Sequence, residues 1–198
     1  VVKSNSELYG STIAYEPFMF DSTKKFFAPY YYKKNLKTLY ENLATPEYNY
    51  PAWHWYSVPQ QSKQKRWSDP YFDEGGGNII MSTYSVPFYR TIKGKRVFAG
   101  IATCDLSLEW LKSLFNEIAI TENCIPFLLT KEGKFIAHND TSIVLKKSIF
   151  QLAEELQDTT LTYIGKKMTE GQNESINSIK LFTDIDSYFF YAPIKANG

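Results

Sequence analysis

Apolar and polar residues alternate along two consecutive segments near the middle of the chain. The alternation runs over Asn78–Phe88 and Arg96–Leu106, and Gly94 lies in the short polar stretch between them. A period of two is typical of strands with one buried face. Because glycine readily adopts the left-handed backbone of tight turns, these segments predict an antiparallel hairpin.

The same alternation predicts where the side chains of the second strand point. Ile101, Thr103 and Asp105 should share one face of the strand, and Ala102 and Cys104 should share the other. We therefore expect Asp105 to face whatever Thr103 faces.

Four segments of the first half show weaker patterns. Phe26–Tyr32 predicts a strand with Pro29 at an edge or bulge, and Leu36–Leu43 fits either a strand or a short helix. The polar stretch Gln60–Arg66 predicts a solvated helical turn or a loop. The three glycines at 75–77 lack the spacing of a phosphate loop and predict a hairpin turn.

A helix is predicted after the hairpin, as a bridge between two lobes. Leu108, Leu111, Phe115 and Ile118 recur at helical spacing, and Ser107 is a suitable N-cap.

The second half begins with a predicted strand-turn-strand unit over Ile125–His138, with its turn at Glu132-Gly133. A helix should follow, with an apolar face formed by Ile149, Leu152, Ala153 and Leu156. After a polar loop over Thr169–Asn177, closing strands are predicted over Ile179–Phe182 and Tyr188–Ile194. Lys195–Gly198 would form a turn whose return strand is missing. This order of elements is PAS-like.

Composition adds a few limits. The chain has 198 residues, 17% of them aromatic, and a formal net charge of +1. This length suits two lobes of about 100 residues each. A net charge near zero gives no field for nucleic acid or an anionic membrane surface, and the short basic run Lys63–Arg66 is expected to be solvated surface.

The sequence predicts no cofactor, no metal site and no catalytic centre. His54 and His138 lack partners at metal-binding spacing, and no nucleophile motif is present, so an enzyme is the last-ranked function. We expect Cys104 and Cys124 not to be bonded, because the predicted helix would carry the chain roughly 18 Å between them, whereas a disulfide needs Cα atoms within about 7 Å. The chain begins at Val1 and shows no apolar span, so we expect it to be part of a longer protein.

Five segments together resemble a known family. They are Trp53-His-Trp-Tyr, Trp67-Ser-Asp-Pro-Tyr-Phe-Asp-Glu, Tyr84-Ser-Val-Pro-Phe, Gly100-Ile-Ala-Thr-Cys-Asp-Leu-Ser and Phe127-Leu-Leu-Thr-Lys-Glu-Gly-Lys-Phe-Ile-Ala-His. In this order they resemble the double Cache domain, a PDC-type tandem PAS-like sensor of prokaryotic transmembrane receptors. The resemblance implies an α+β fold of two PAS-like lobes, each an antiparallel sheet flanked by helices.

The resemblance also implies an arrangement in the receptor. Residues 1–107 would form the membrane-distal, ligand-binding lobe, and residues 108–198 the linker helix and the membrane-proximal lobe. The family's long N-terminal helix would be largely missing, homodimerisation through that helix is an option, and transmembrane helices would flank the chain. The chain would lie outside the cytoplasm and serve a histidine kinase, a chemoreceptor or a similar effector.

In family members that bind amino acids, an Arg clamps the ligand carboxylate. The resemblance places Trp53 at that position, Tyr48 five residues before it, Trp55-Tyr56 just after it, Tyr71-Phe-Asp73 later, and Asp105 at the end of the last distal strand. Trp cannot form the bidentate fork of an Arg.

The remaining aromatic faces and carboxylates suit a cation. We therefore expect the distal lobe to hold the only specific small-molecule site, for an amine, a betaine-like quaternary ammonium or an amino-acid-like ligand. The candidate ligand-binding residues are Tyr48, Trp53, Trp55, Tyr56, Tyr71, Asp73, Tyr84, Thr103 and Asp105.

Structural alternatives stay open at this point. Aromatic residues of a sheet-rich protein are more often core than ligand walls. Asp105 could cap the following helix, and Asp73 could serve the glycine turn. The second-ranked function is therefore a structural or protein-interaction ectodomain with no small-molecule ligand.

Overall fold

The computed structural model describes residues 1–111, 125–179 and 186–194. The chain divides into two compact units, Val1–Ser113 (unit 1) and Leu114–Gly198 (unit 2). Among the described residues, no helix has the length and apolar character needed to cross a bilayer. The assignment of residues 1–107 and 108–198 to a distal and a proximal lobe stays a prediction.

Unit 1 is built around one antiparallel sheet of seven strands. They are β1 Gly10–Tyr15, β2 Pro29–Lys34, β3 Lys37–Asn42, β4 Arg66–Trp67, β5 Tyr71–Phe72, β6 Ile80–Ile92 and β7 Lys95–Ser107. The spatial order is β3-β2-β1-β7-β6-β4, and β5 also pairs with β6. Helix α1 spans His54–Ser62, and short 3-10 helices span Val2–Ser4 and Tyr50–Ala52.

The β6–β7 hairpin confirms the prediction made from the alternating pattern. The two strands pair from Met81↔Ser107 to Ile92↔Lys95. Both turn residues between them, Lys93 and Gly94, have positive φ, at 49° and 74°, as the commonest two-residue hairpin turn requires.

The faces of β7 are also as predicted. Ile101, Thr103 and Asp105 are buried, whereas Ala102 and Cys104 are only half-buried on the other face. The hairpin therefore carries Thr103 and Asp105 into the interior of unit 1.

Several predicted elements differ in position or kind. The strand predicted from Phe26 begins at Pro29, and the ambiguous segment Leu36–Leu43 is a strand. β1 was not predicted, although it pairs with both β2 and β7. The stretch Gln60–Arg66 is largely as predicted, because it holds the last turn of α1 and an exposed loop before β4 begins at Arg66. The rest of α1 was missed because its aromatic start and its internal Pro59 are untypical of helices.

The core of unit 1 is mainly aromatic. Tyr30, Tyr50 and Tyr56 are each 1% exposed, and Trp55 from α1 packs in the same cluster. Helix α1 thus supplies ring faces to the interior that the sheet encloses.

Unit 2 has two strand pairs and two helices in its described part. They are β8 Phe127–Leu129 with β9 Phe135–His138, β10 Glu174–Ile179 with β11 Ser187–Tyr191, α2 Ile149–Glu155 and α3 Thr159–Thr169. Gly133, with φ of 83°, forms the predicted turn. The predicted helix is α2, but Leu156 of its predicted apolar face is the C-cap and is 55% exposed. The α2 N-cap Ser148 and Gln151 form a capping box.

Three features of unit 2 correct the sequence prediction. α3 was not predicted, the polar loop ends where β10 begins at Glu174, and β11 ends at Tyr191 rather than Ile194. β10 was missed because its polar residues hide the alternation.

Some predictions fall outside the described residues. They concern the helix beyond Leu111, Cys124, most of the strand over Ile179–Phe182, and Lys195–Gly198. At the start of that helix, Ser107 Oγ accepts a hydrogen bond from the Glu109 N–H at 3.2 Å, consistent with capping. Cys104 carries a free thiol.

Candidate functional site

A small cavity lies in the interior of unit 1. Its volume is about 10 Å³, and it is lined by Thr12, Tyr30, Leu43, Tyr48, Trp55, Tyr71, Asp73, Thr103 and Asp105. Six of the nine residues predicted from the sequence are in this lining. They come from β5, β7, α1 and the connecting segments, so the fold brings distant parts of the chain to one place.

Asp105 is one of the two buried acids of the cavity. It is 4% exposed, and its backbone carbonyl accepts a hydrogen bond from the Tyr9 N–H. Burial raises the pKa of Asp105 to about 7, the hydroxyl of Thr83 opposes this shift, and the charge on Asp73 adds to it. Because Asp105 lies inside β7 and lines the cavity, the helix-cap alternative is not what the structure shows.

Asp73 follows β5 and serves the turn and the cavity together. Its Oδ2 accepts a hydrogen bond from the Gly77 N–H at 2.6 Å, and its Oδ1 accepts one from Tyr48 Oη at 2.5 Å. A Cβ at Gly76 would lie only 2.3 Å from Asp73 Oδ2, so glycine is needed there. Burial raises the pKa of Asp73, whereas the bonds from Gly77 and Tyr48 lower it.

The aromatic groups around Asp73 form a short chain of hydrogen bonds. Trp55 Nε1 donates to Tyr48 Oη at 3.3 Å, and Tyr48 in turn donates to Asp73. Tyr71 Oη shares a hydrogen bond with Thr83 Oγ1 at 2.9 Å. Burial raises the pKa of both Tyr48 and Tyr71 above the ordinary tyrosine value.

Three predicted residues lie outside the lining. Trp53 stacks on Tyr48 with ring centroids 5.0 Å apart and so supports the wall from behind. The Tyr56 hydroxyl donates to Glu16 Oε1 at 2.5 Å, in a different part of the core. Tyr84 contacts Trp67, because alternation along β6 turns it away from its buried neighbour Thr83.

Three lining residues were missed by the sequence prediction: Thr12, Tyr30 and Leu43. A signal for Tyr30 was present in the predicted strand, where alternation should bury Tyr30 and Tyr32 and expose Tyr31. The structure shows this pattern, with Tyr31 49% exposed and Tyr30 1%. Thr12 could not be found because β1 was not recognised as a strand.

The ionisable groups of the cavity lining are acidic: the cavity has carboxyl groups and no basic side chain. Two carboxylates line it, and none of its lining residues is Lys, Arg or His. Carboxylates that are removed from water without a cation carry a high desolvation cost. The charge of the lining therefore suits a small cation better than an anion. Within the described ranges, no group of three or more His, Cys, Asp and Glu could hold a metal ion.

Unit 2 has a wider groove of different character. Its volume is about 340 Å³, and its lining consists of Ile125, His138, Asn139, Asp140, Ile143, Leu152 and Leu156. His138 Nδ1 accepts a hydrogen bond from the Asp140 N–H at 2.9 Å, and burial lowers the pKa of this imidazole. The only acid in the lining, Asp140, is exposed. The groove thus lacks the buried carboxylates of unit 1.

Comparison with known proteins connects unit 1 to chemoreceptors. Residues 1–113 match the model of the methyl-accepting chemotaxis protein-like, first PDC sensor domain. The chain is also 29% identical over 100 residues to the methyl-accepting chemotaxis protein PscA of Pseudomonas syringae pv. tomato. That similarity covers 50% of this chain and 15% of PscA.

Solved structures of sensor domains share the fold over nearly the whole chain. The extracellular domain of soHK1S-Z6, assigned as a histidine kinase, superposes with a TM-score of 0.68 at 27% identity, covering 96% of this chain and 66% of that one. The corresponding domain of mmHK1S-Z3 gives 0.71 at 22% identity, with 97% and 70% covered. The periplasmic sensory domain of the Campylobacter jejuni chemoreceptor Tlp1 gives 0.71 at 13% identity, with 98% and 70% covered.

The matched residues, the sheet of unit 1 and the two-unit architecture agree with each other. The chain is an extracytoplasmic sensor module of the kind found in chemoreceptors and histidine kinases, with the predicted α+β fold. It belongs to the family of methyl-accepting chemotaxis protein-like, first PDC sensor domains.

Proposed function

We propose that unit 1 senses a small ligand with a positively charged nitrogen, bound in the cavity between Asp73 and Asp105. Ligand binding would shift the population of the receptor from its ligand-free to its bound conformation. Transmembrane helices that flank the chain would transmit this conformational change to a kinase or chemotaxis effector. The observation that carries the proposal is the pair of buried carboxylates in a cavity lined by no cationic side chain.

The carboxylates favour an ammonium group for an electrostatic reason. Asp105 is buried, and the charge of Asp73 raises its pKa further. A bound cation would interact favourably with both acids and would stabilise their ionised forms. A dicarboxylate would instead add negative charge, and the resemblance to amino-acid-binding members of the family places Trp53, not Arg, at the carboxylate-clamping position.

The rest of the lining supports the same class of ligand. Tyr48, Trp55 and Tyr71 line the cavity, and a cation over the face of an aromatic ring gains roughly 0.5 to 2 kcal/mol per contact. Pockets for drug-sized ligands measure about 300 to 1,000 Å³. The cavity measures about 10 Å³, close to the space that one water molecule needs, so side chains of the lining would have to move apart to admit even a compact amine.

A structural ectodomain is the second candidate, and the hydrogen bonds of the cavity favour it. Tyr48 and Asp73 are bonded to each other, and both oxygens of Asp73 already accept a bond within the protein. A cavity filled by its own aromatic residues would need no ligand.

Thermal melting and calorimetry with a defined panel distinguish the two candidates. We expect ethylamine or tetramethylammonium to raise the melting temperature of the chain, by several degrees at about 100 times Kd. Glycine should act more weakly, since no cation of the lining meets its carboxylate, and succinate should have no effect. Binding of succinate alone would refute the proposal, and no response to any amine would favour the structural candidate.

A matched pair of variants tests the assigned acid. Asp105→Asn keeps the shape but removes the charge, so the affinity for the amine should fall about 10- to 150-fold, the equivalent of 1.5 to 3 kcal/mol for a charge-assisted hydrogen bond. Asp69→Asn removes the same charge from an exposed position of unit 1 and should leave the affinity unchanged. Equal affinities in both variants would remove Asp105 from the site.

A further inference from the structure

The near-zero net charge of the chain conceals a strongly basic region. Residues 16–27, 60–66 and 89–98, here called the basic end, contain nine lysines and arginines but two acids, whereas the whole chain has 22 and 21. The pattern Lys-X-Lys-Arg occurs twice in it, at Lys63–Arg66 and at Lys93–Arg96. The cations are therefore segregated, not scattered.

Contacts within unit 1 join the three segments into one surface. Arg90 at the outer part of β6 donates a hydrogen bond to the Met19 carbonyl of the loop after β1. Lys63 at the end of α1 lies with its Nζ 3.9 Å from the centre of the Phe98 ring on β7. Cations from all three segments thus lie on the same end of the sheet.

These cations are available to an external partner. All nine are solvent-exposed, and the ion pair found within the described ranges, Lys147 with Glu155, belongs to unit 2. Some are held in place by rings, as shown by the Arg96 guanidinium 3.8 Å from the centre of the Tyr89 ring. Such stacking reduces the conformational entropy lost on binding.

Apolar side chains are interspersed among the cations. Phe18 is 54% exposed and has a φ of 64°, a backbone conformation that is unusual for a bulky residue and is more common at ligand-binding sites. Phe20, Ile92 and Val97 are also exposed. The surface therefore offers ring faces and positive charge together.

We propose that the basic end binds an anionic polysaccharide, a glycan with carboxylate or sulfate groups. The repeated charges of such a polymer match cations spread over three segments, and the C–H faces of sugar rings pack on exposed aromatic rings. An anionic bilayer fits less well, since insertion needs apolar residues at the outermost point. The outermost point of the hairpin is the charged turn Lys93-Gly94-Lys95.

Heparin, a sulfated polysaccharide, is a suitable probe. We expect the wild-type chain to bind heparin and not neutral dextran at low salt, with an affinity that falls as salt rises because counterions are released. Lys93→Gln, Lys95→Gln and Arg96→Gln combined should weaken heparin binding at least tenfold. The combined control Lys34→Gln, Lys37→Gln and Lys131→Gln removes three exposed cations elsewhere and should weaken it less than twofold.

Phe18→Asn tests the contribution of the aromatic face. Asn tolerates the left-handed backbone, so the loop should keep its shape, and heparin binding should weaken while binding of polyglutamate, a polyanion without sugar rings, should not. Equal losses in the two triple variants would indicate simple ion exchange and overturn the proposal. The proposal would also be overturned if the chain bound vesicles of half phosphatidylglycerol and half phosphatidylcholine but did not bind heparin. It would likewise be overturned if the chain bound polyglutamate as tightly as heparin. None of these outcomes depends on the cavity between Asp73 and Asp105.

Discussion

The two units bury different kinds of side chain. Unit 1 buries six polar or charged residues: Thr12, Asp73, Thr83, Ser85, Thr103 and Asp105. In the described part of unit 2 no charged side chain is buried, and the centre of its core is Phe135 with Ile149, Leu161 and Ile164.

This difference separates a core that only stabilises from one that also carries a site. A buried carboxylate costs free energy unless it is paired, whereas an apolar core gains about 25 cal/mol for each Å² removed from water. The described core of unit 2 is apolar throughout and only stabilises the fold. Unit 1 departs from this pattern at Asp73 and Asp105, and such departures are expected at functional sites.

The largest effect should follow from opening the apolar core of unit 2. Phe135 is fully buried, so Phe135→Ala should lower the free energy of unfolding by about 3 to 5 kcal/mol, through lost transfer free energy and a cavity. Chemical denaturation followed by circular dichroism measures this loss. Amine binding by the folded variant should be unchanged, because the cavity lies in unit 1.

Phe190→Ala is the matched control in the same unit. Phe190 is 72% exposed, so its truncation should change the free energy of unfolding by less than about 0.5 kcal/mol. A similar loss in both variants would contradict the description of the unit 2 core.

The free energy of unfolding of unit 1 should depend on pH because its core contains buried acids. The pKa of Asp105 is 3.8 in the unfolded chain and about 7 in the folded one. Between these values the folded state binds more protons, so the free energy of unfolding falls as pH rises from about 4 to about 7. At 1.36 kcal/mol per pKa unit the loss is about 4 kcal/mol. The raised pKa of Asp73 acts in the same direction.

The fluorescence of tryptophan reports this effect selectively, because all four tryptophans (Trp53, Trp55, Trp67 and Trp110) lie in unit 1. Urea unfolding followed by fluorescence should show the decline in the wild-type chain and in Asp69→Asn, and a much smaller decline in Asp105→Asn. The tyrosines around the acids titrate above this range, since burial raises the pKa of Tyr30, Tyr48 and Tyr71. Equal slopes in all three proteins would mean that Asp105 is not the titrating group.

Sequence patterns predicted the fold of both units where the alternation was regular. The β6–β7 hairpin and the inward face of Thr103 and Asp105 followed from period-two alternation and one turn glycine. β1 was missed because its polar residues Ser11 and Thr12 are held by hydrogen bonds to β7 and β2. Such bonds between distant segments leave no local signal.

Six of the nine residues predicted for the candidate site line the cavity. Local preference could not decide whether Asp105 caps a helix or faces a cavity, because Asp suits both positions. The tertiary structure decides by placing it inside β7. Tyr84 was wrongly included, because the face that it occupies depends on the register of β6 with β7, which the sequence alone does not supply.

Removing the Tyr48 hydroxyl should destabilise unit 1 through the buried acid that it supports. Tyr48→Phe deletes the donor to Asp73 Oδ1 and the acceptor for Trp55 Nε1, so unit 1 should lose about 1.5 to 3 kcal/mol of stability. The loss should be larger at pH 8 than at pH 5, because the lost bond favours the ionised form of Asp73. Tyr40→Phe, at a 54% exposed position of β3, should have little effect at either pH. A loss that is the same at both pH values would show that the hydrogen bond from Tyr48 does not favour the ionised form of Asp73 over the protonated one.

The smallest effect should come from a substitution on the face of β7 that points away from the cavity. Cys104 pairs with Tyr84 across the hairpin and points away from the cavity, and burial raises the pKa of its thiol. Alkylation of the native protein should therefore be slow, and Cys104→Ala should leave amine affinity unchanged. Because a disulfide requires close Cα atoms, the predicted separation of Cys104 from Cys124 implies two free thiols in the denatured, unreduced protein. A count of zero in a monomer would overturn that separation, and altered amine affinity in Cys104→Ala would show that the two faces of β7 are coupled.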